Sequence, residues 1–173
     1  MDDAIAPGPE DEPPLLISLH MPKTAGTSFG AALQEYFGQR YLADYGDFPL
    51  NTTALERHRW AIDACLHLQD GDFKDVSCIH GHFLPAKYLL LADRRPCRFI
   101  TWLREPVARL VSHYHYWFDV YDPNSPDTRE LHRRVVEDKW PLERFCLSPE
   151  LRNVYSQFLW GFPLEQFAFV GIA

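Results

Sequence analysis

The feature that most constrains this chain is a short apolar run that passes directly into a small-residue loop and then into a helical pattern. Residues 15–20, Leu-Leu-Ile-Ser-Leu-His, predict a buried strand. The loop at 21–26 follows at once, and residues 27–37 carry apolar side chains at helical spacing. The start of the chain therefore predicts a strand–loop–helix unit, the building block of a parallel sheet.

The same alternation continues to the C-terminus. Strands are predicted at 76–79, 98–103 and 167–172, and helices at 53–68, 85–92, 106–118, 128–139 and 149–159. Residues 41–49 are predicted to be irregular. The pattern indicates an α/β fold, a P-loop-like open parallel sheet flanked by helices. Because the sequence stops inside its last predicted strand, we expect that the C-terminal part of the fold is missing.

Composition and charge narrow the class of protein. Apolar residues make up 46% of the 173 residues and charged residues 24%, which is typical of one soluble globular domain. The formal net charge is −7 with no dominant basic patch, so nucleic acid is not an expected partner. The sequence predicts a domain at 15–173 and indicates nothing about oligomeric state.

The N-terminal residues 1–14 are acidic and rich in proline, and they predict a short disordered tail. They lack a basic segment followed by an apolar one, so no signal peptide is expected. No apolar run approaches the roughly 20 residues of a membrane-spanning helix. These features together predict a cytoplasmic protein without a transmembrane segment.

The cysteines give no motif. Cys65, Cys78, Cys97 and Cys146 form no Cys-x-x-Cys pair, so we expect free or buried thiols and no zinc or redox site. Asn51 begins a glycosylation sequon, which matters only in a secreted protein.

The loop after the first strand has the character of a phosphate cradle. Its sequence, Pro-Lys-Thr-Ala-Gly-Thr-Ser at 22–28, places backbone N–H groups and hydroxyls at the start of a helix. It is not a Walker A motif, because Lys23 comes before Gly26 instead of after it. The altered order favours a donor other than a nucleoside triphosphate. A plain turn with a surface lysine explains the local pattern equally well.

A second anion-binding element follows the strand at 98–103. Arg104 stands where that strand ends, at the edge where open α/β sheets bind ligands, and a guanidinium can grip a phosphate with two hydrogen bonds. Pro106 suits the first position of the next helix, and Ser112 lies two turns along it. Arg104 could instead pair with a carboxylate while Ser112 packs internally.

Together, the Pro-Lys-Thr-Ala-Gly-Thr-Ser loop and the Arg-Glu-Pro-Val-x-Arg-Leu-Val-Ser segment at 104–112 resemble the sulfotransferases that use 3′-phosphoadenosine-5′-phosphosulfate (PAPS). The resemblance is closest to the heparan sulfate and uronyl 2-O-sulfotransferases. It implies a sulfotransferase fold, with Arg104 and Ser112 as ligands of the 3′-phosphate. The implied 5′-phosphosulfate loop consists of Lys23, Thr24, Ala25, Gly26, Thr27 and Ser28.

Two histidines lie between these motifs, in His80-Gly81-His82. The resemblance implies that His82 is the catalytic base and His80 its supporting partner. An imidazole, with an ordinary pKa of about 6.5, suits proton removal at neutral pH. A metal pair or a pair of satisfied core histidines would give the same pattern. His113 and His115 are expected to be structural or to line a cleft.

The resemblance also predicts the reaction. We expect an enzyme that transfers a sulfuryl group from PAPS to a hydroxyl of a saccharide or other acceptor, releases adenosine 3′,5′-bisphosphate and needs no metal. Two clusters of arginines could hold an acidic saccharide or lie on the solvated surface: Arg94, Arg95 and Arg98, and Arg129, Arg133 and Arg134. A P-loop kinase or NTPase and a truncated, non-catalytic remnant of the fold remain as alternatives.

Overall fold

The computed structural model describes residues 13–47, 52–69, 71–126 and 128–173. These residues form one all-parallel five-stranded sheet flanked by helices, in the strand order β2-β3-β1-β4-β5. The strands are β1 (Leu15–Leu19), β2 (Tyr41–Asp44), β3 (Cys78–Gly81), β4 (Cys97–Leu103) and β5 (Phe169–Ile172). The predicted α/β class with a parallel sheet is thus confirmed.

Six α-helices accompany the sheet within the described ranges: α1 (Gly26–Phe37), α2 (Ala54–Leu66), α3 (Pro106–Asp119), α4 (Glu130–Glu137), α5 (Leu142–Leu147) and α6 (Val154–Phe158). Short 3₁₀ turns lie at Gly38–Arg40, Pro85–Leu91 and Leu164–Gln166. Pro106 opens α3 as predicted, and the Glu105 carboxylate accepts hydrogen bonds from the N–H groups of the first turn.

The two faces of the sheet carry different chemistry. On one face Ile17 of β1 lies beside Ile79 and Phe99 in the neighbouring strands, and Phe158 of α6 belongs to the same apolar cluster. Side chains alternate along a strand, so Ser18 of β1 faces the other side. That side is covered by α1 and carries buried polar groups, so it is the face of the sheet on which we expect a functional site.

Helix α1 lies unusually close to this polar face. A Cβ atom at Gly30 would meet Nε2 of His80 at 2.7 Å, which is shorter than any tolerated contact. Gly30 therefore provides the space that the His80 ring occupies between β3 and the helix.

The strand β2 contradicts the prediction that residues 41–49 are irregular; the part of that range beyond Asp47 is outside the described residues. β2 is an edge strand of four residues and only half-buried, so it lacks the apolar run that identifies a central strand. Its end is fixed by Asp44, whose carboxylate accepts hydrogen bonds from Lys87 (2.7 Å) and from the Tyr88 hydroxyl (2.6 Å).

Strand β3 spans Cys78–Gly81 instead of the predicted 76–79. The shift places His80 inside the sheet, paired in register with Ser18, where a position after the strand had been expected. All four cysteines are free thiols, as expected.

The C-terminal third also differs from the prediction. The helix predicted at 149–159 is limited to α6, because Asn153 adopts a left-handed backbone with φ of 57° directly before it. α5 was not predicted. In α3 the apolar side chain of Val107 is 63% exposed, whereas the polar side chains of Arg109 and His113 are buried.

Parts of some sequence predictions lie outside the described residues. They are most of the predicted tail at 1–14 and the sequon residue Asn51.

We expect Gly30→Ala to destabilise the protein by about 1–3 kcal/mol, because overpacking against His80 outweighs the usual gain of helix propensity. Urea denaturation measures the change. Gly46→Ala is the matched control, since a Cβ there meets nothing within 4 Å. A stabilised Gly30→Ala variant would show that the ring can move away at no cost.

Candidate active site

The strand order brings the predicted residues to one edge of the sheet. The carboxyl ends of β2, β3, β1 and β4 lie side by side, and they are followed by Tyr45, His82, His20 and Arg104 respectively. Ligands of open α/β sheets bind at this edge. The loop that was interpreted as a phosphate cradle begins at His20, in the middle of the row.

The loop between β1 and α1 has a strained backbone. Lys23 and Ala25 both adopt left-handed conformations, with φ of 66° and 61°, although neither is glycine. Alternation of right- and left-handed residues turns successive N–H groups to one side, which makes an anion-binding concavity. The buried Thr24 hydroxyl donates to the Met21 carbonyl at 2.9 Å and so holds the loop from within. Non-glycine residues kept in this region cluster at functional sites.

The N-terminus of α1 opens onto the same edge. Its N-cap residue, Ala25, contributes no side-chain cap, and among the described residues its first turn has no acidic side chain. Thr27 and Ser28 are exposed there. The free N–H groups and the positive end of the helix dipole favour an anion. Of the loop hydroxyls, those of Thr27 and Ser28 face solvent, whereas that of Thr24 is occupied.

Gly26 is required by a neighbouring ring. A Cβ at this position would lie 1.9 Å from Cδ2 of His20, so the close approach made possible by Gly26 is that of an imidazole. The glycine therefore joins the loop to the histidines of the site.

The geometry of His82 fixes its tautomer. Its Nδ1 lies 2.5 Å from the backbone carbonyl of His20, and because a carbonyl only accepts, Nδ1 carries the proton. Burial lowers the pKa of His82, although the bond to His20 opposes the shift. The ring is consequently neutral at pH 7 and keeps its Nε2 lone pair available. It is also partly exposed, as a base that receives a substrate proton must be.

His80 is saturated with hydrogen bonds and has no free lone pair. Its Nε2 donates to the Gly26 carbonyl at 3.2 Å, and its Nδ1 accepts from the Ser18 hydroxyl at 2.8 Å. Burial lowers its pKa to about 4. No hydrogen bond joins His80 to His82 in the described part of the chain. His80 therefore positions the loop by holding Gly26, and any support for His82 passes through other residues.

The residue that connects the two is His20, which the sequence interpretation did not assign. Its ring lies between them, with centroids 4.3 Å from His82 and 5.2 Å from His80. Its Nδ1 is 3.0 Å from the hydroxyl of Tyr45, also unassigned. Burial, followed by the charges of the neighbouring histidines, lowers the pKa of His20 to about 3. His20 ends the strand predicted at 15–20, and that position was the signal available in the sequence, whereas Tyr45 follows β2, a strand that the sequence did not predict.

The Lys23 ammonium points across the loop towards α3. It lies 3.9 Å from the centroid of the Tyr116 ring, a cation–π contact. Burial and the nearby charge of Arg104 lower the pKa of Lys23, while Asp119 partly opposes them. Two residues 81 positions apart in sequence are thus brought within electrostatic range of each other. No carboxylate in the described ranges lies within ion-pair distance of either cation.

The backbone of Arg104 is held by a single hydroxyl. Tyr155 of α6 accepts from the Arg104 N–H at 2.9 Å and donates to its carbonyl at 2.6 Å. The guanidinium forms no salt bridge with the described carboxylates, so the alternative of a structural ion pair is not observed. Ser112 lies half-buried on α3, on the helix that follows Arg104.

The structure separates the two arginine clusters. Arg94 and Arg95 precede β4 and Arg98 is its second residue, so all three lie at the opposite edge of the sheet from His82. Arg129 lines a pocket of about 240 Å³ between α3 and α4, together with Tyr116, Trp117, Val120, Ser125, Thr128 and His132. Since Tyr116 also contacts Lys23, this pocket is next to the loop.

Comparison with models of known families and with the curated proteins finds no match to this chain. Within the described ranges, no group of three or more His, Cys, Asp or Glu side chains is arranged to hold a metal ion. No helix in the described part of the chain is long and apolar enough to cross a membrane.

The buried histidines predict a pH dependence of stability. His80 has a pKa of about 4, and burial lowers the pKa of both His20 and His113 to about 3. In the unfolded chain these rings bind a proton below pH 6.5, so the unfolded state carries more protons between pH 6.5 and 4. The free energy of unfolding should therefore fall on acidification by at least about 1.4 kcal/mol per pH unit.

Urea denaturation between pH 7 and 4.5 measures this slope. His80→Asn should make it shallower, whereas His67→Asn, at a side chain that is 76% exposed, should leave it unchanged. An identical slope in both variants would contradict the assignment to buried imidazoles.

Proposed function

We propose that this domain binds PAPS at the carboxyl edge of its sheet and transfers the sulfuryl group to an acceptor hydroxyl, with His82 as the general base. The observation that carries the proposal is the convergence of two cations without ion-pair partners among the described residues, Lys23 and Arg104, beside a neutral imidazole with a free nitrogen. The sequence resemblance points to PAPS as the donor, and the two cations are the groups that would bind its anionic ends.

In this proposal each phosphate-bearing end of the donor has its own anion-binding site. The 5′-phosphosulfate lies on the loop from Lys23 to Ser28, where N–H groups, exposed hydroxyls and the ammonium are available. The 3′-phosphate lies on Arg104, whose backbone is fixed by Tyr155, and on Ser112. A bidentate guanidinium with no competing carboxylate is suited to a phosphate.

The transfer needs one base and one charge-stabilising group. The acceptor hydroxyl attacks sulfur and loses its proton to Nε2 of His82, while the bond between sulfur and the bridging phosphate oxygen breaks. The electron pair of that bond remains on the phosphate oxygen, where the Lys23 ammonium stabilises the developing charge. The hydrogen bond from Nδ1 of His82 to the His20 carbonyl stabilises the imidazolium that forms.

The acceptor pocket in this proposal is the cavity between α3 and α4. Its aromatic side chains can pack against a sugar ring and its polar side chains can form hydrogen bonds with hydroxyl groups, and Tyr116 connects the cavity to Lys23. The cluster Arg94, Arg95 and Arg98 is assigned no role in acceptor binding, because it lies at the far edge of the sheet.

Isothermal titration with adenosine 3′,5′-bisphosphate tests donor binding. Lys23→Met and Arg104→Met should each weaken binding by about ten- to a hundredfold, since a charge-assisted hydrogen bond contributes about 1.5–3 kcal/mol. Lys74→Met is the matched control, because that exposed lysine lies outside the site.

Two results would overturn the proposal in favour of the other classes. Tighter, Mg²⁺-dependent binding of ATP would indicate a kinase or NTPase. Failure of the domain to bind any nucleotide would indicate a truncated, non-catalytic remnant of the fold.

His82→Ala should lower kcat for sulfate transfer from PAPS by about 10²–10⁴-fold. The dissociation constant of adenosine 3′,5′-bisphosphate should stay the same, because His82 acts on the acceptor. His67→Ala, at an exposed histidine outside the site, should keep full activity. Unchanged turnover in His82→Ala would remove the base from this mechanism.

A further inference from the structure

Arg109 is a buried charge without a counter-ion among the described residues. It lies on the inner face of α3 and is 3% exposed, and its Nη1 atom is sealed from solvent with no hydrogen-bond partner among the described residues. The Tyr155 ring, 5.6 Å from the guanidinium carbon, provides a cation–π contact but accepts no N–H bond from Nη1. An arginine stays charged in a protein, and burial of an unpaired charge costs several kcal/mol.

A second buried nitrogen without a hydrogen-bond partner among the described residues lies one turn further along α3. His113 is 3% exposed, and its Nδ1 is sealed and has no partner in the described part of the chain. Its ring is fixed edge-on by Trp117 and Phe145, at centroid distances of 4.8 and 5.7 Å. Residues four apart are neighbours on a helix, so the two unsatisfied groups share one face.

Electrostatic interactions with site residues indicate that Arg109 and His113 lie near the carboxyl edge of the sheet, although neither belongs to the loop at 21–26. Burial, followed by the charges of Arg109, Lys23, His132 and His82 in that order, lowers the pKa of His113 to about 3. Positive or protonatable groups therefore surround His113 from α3, α4, the loop and β3. An internal cluster of this sign is stabilised by an anion.

We propose that Arg109 and His113 form an internal binding site for a small oxyanion, a carboxylate or a sulfate group, separate from the nucleotide loop. The guanidinium supplies charge and N–H donors, and neutral His113 donates from Nδ1. A bound water would satisfy one hydrogen bond but would leave the charge of Arg109 uncompensated. The site does not depend on sulfuryl transfer, since its anion can be part of an acceptor or of another ligand.

Thermal unfolding in a chain that lacks the loop cations tests the site in isolation. In Lys23→Met/Arg104→Met, sodium sulfate or sodium acetate should raise Tm relative to sodium chloride at equal ionic strength. At ten times the dissociation constant, we expect a shift of about 3 °C or more. Sulfate also stabilises proteins non-specifically, so the comparison between variants is decisive.

Adding Arg109→Met to this background should abolish the anion-specific shift, because methionine keeps the apolar stem but donates no hydrogen bond. His113→Phe keeps the ring contacts with Trp117 and Phe145 and should weaken the anion-specific rise in Tm. This variant replaces Arg109→Met as the test if Arg109→Met does not fold. Arg98→Met, at an exposed arginine on the opposite edge, should retain the full shift. An equal anion-specific rise in Tm in the Arg109→Met and Arg98→Met variants would contradict the proposed site. So would the absence of any such rise in Lys23→Met/Arg104→Met itself.

A separate arm identifies the source of the anion. In the unmodified chain saturated with adenosine 3′,5′-bisphosphate, the sulfate shift should persist, because the nucleotide leaves Arg109 empty. Loss of the shift would show that a nucleotide phosphate occupies Arg109 and would overturn the separation of the two sites. If the nucleotide does not bind at all, the proposed transferase function fails, whereas the double-variant experiment still decides the oxyanion site.

Discussion

The arrangement at the sheet edge depends on the close fit between helix α1 and two imidazoles. His20 and His80 fill the space that the absent side chains of Gly26 and Gly30 leave open. The rings in turn fix the loop, since His80 donates to the Gly26 carbonyl. Burial keeps both rings neutral, so they act as rigid hydrogen-bonding spacers. The strained backbone at Lys23 is held in place by this packing.

At the carboxyl edge of the sheet, neutral imidazoles and charged side chains occupy different sides. Neutral imidazoles line the β1 and β3 ends, whereas Lys23 and Arg104 stand without ion-pair partners in the described structure on the side of β4 and α3. Such a division suits a reaction in which a proton leaves on one side and negative charge develops on the other. Arg109 and His113 lie on the inner face of α3 together with Trp117, and each has a buried nitrogen without a hydrogen-bond partner among the described residues.

The sequence predicts four of the five strands and misses β2. β1 is a nearly continuous, buried apolar run and β4 has an apolar stretch at its centre, whereas β2 is short, half-buried and stabilised by Asp44 with Lys87. His82 was assigned from the sequence because it lies in a motif, and its role as a base stays a prediction. His20 and Tyr45 were missed because their importance arises from strand order, which brings three separate strand ends together. The left-handed backbone at Lys23 likewise depends on tertiary packing that local propensity does not encode.

The hydroxyl of Tyr155 holds both backbone groups of a residue 51 positions earlier. During synthesis, β4 and Arg104 leave the ribosome long before α6 does, so this arginine has no fixed backbone until the later segment has emerged and docked. β5, which joins β4 at the edge of the sheet, comes later still. The residues that form the half of the site around β1 and β3 are therefore synthesised before the half around β4 can be completed, because that half also needs residues 154–158.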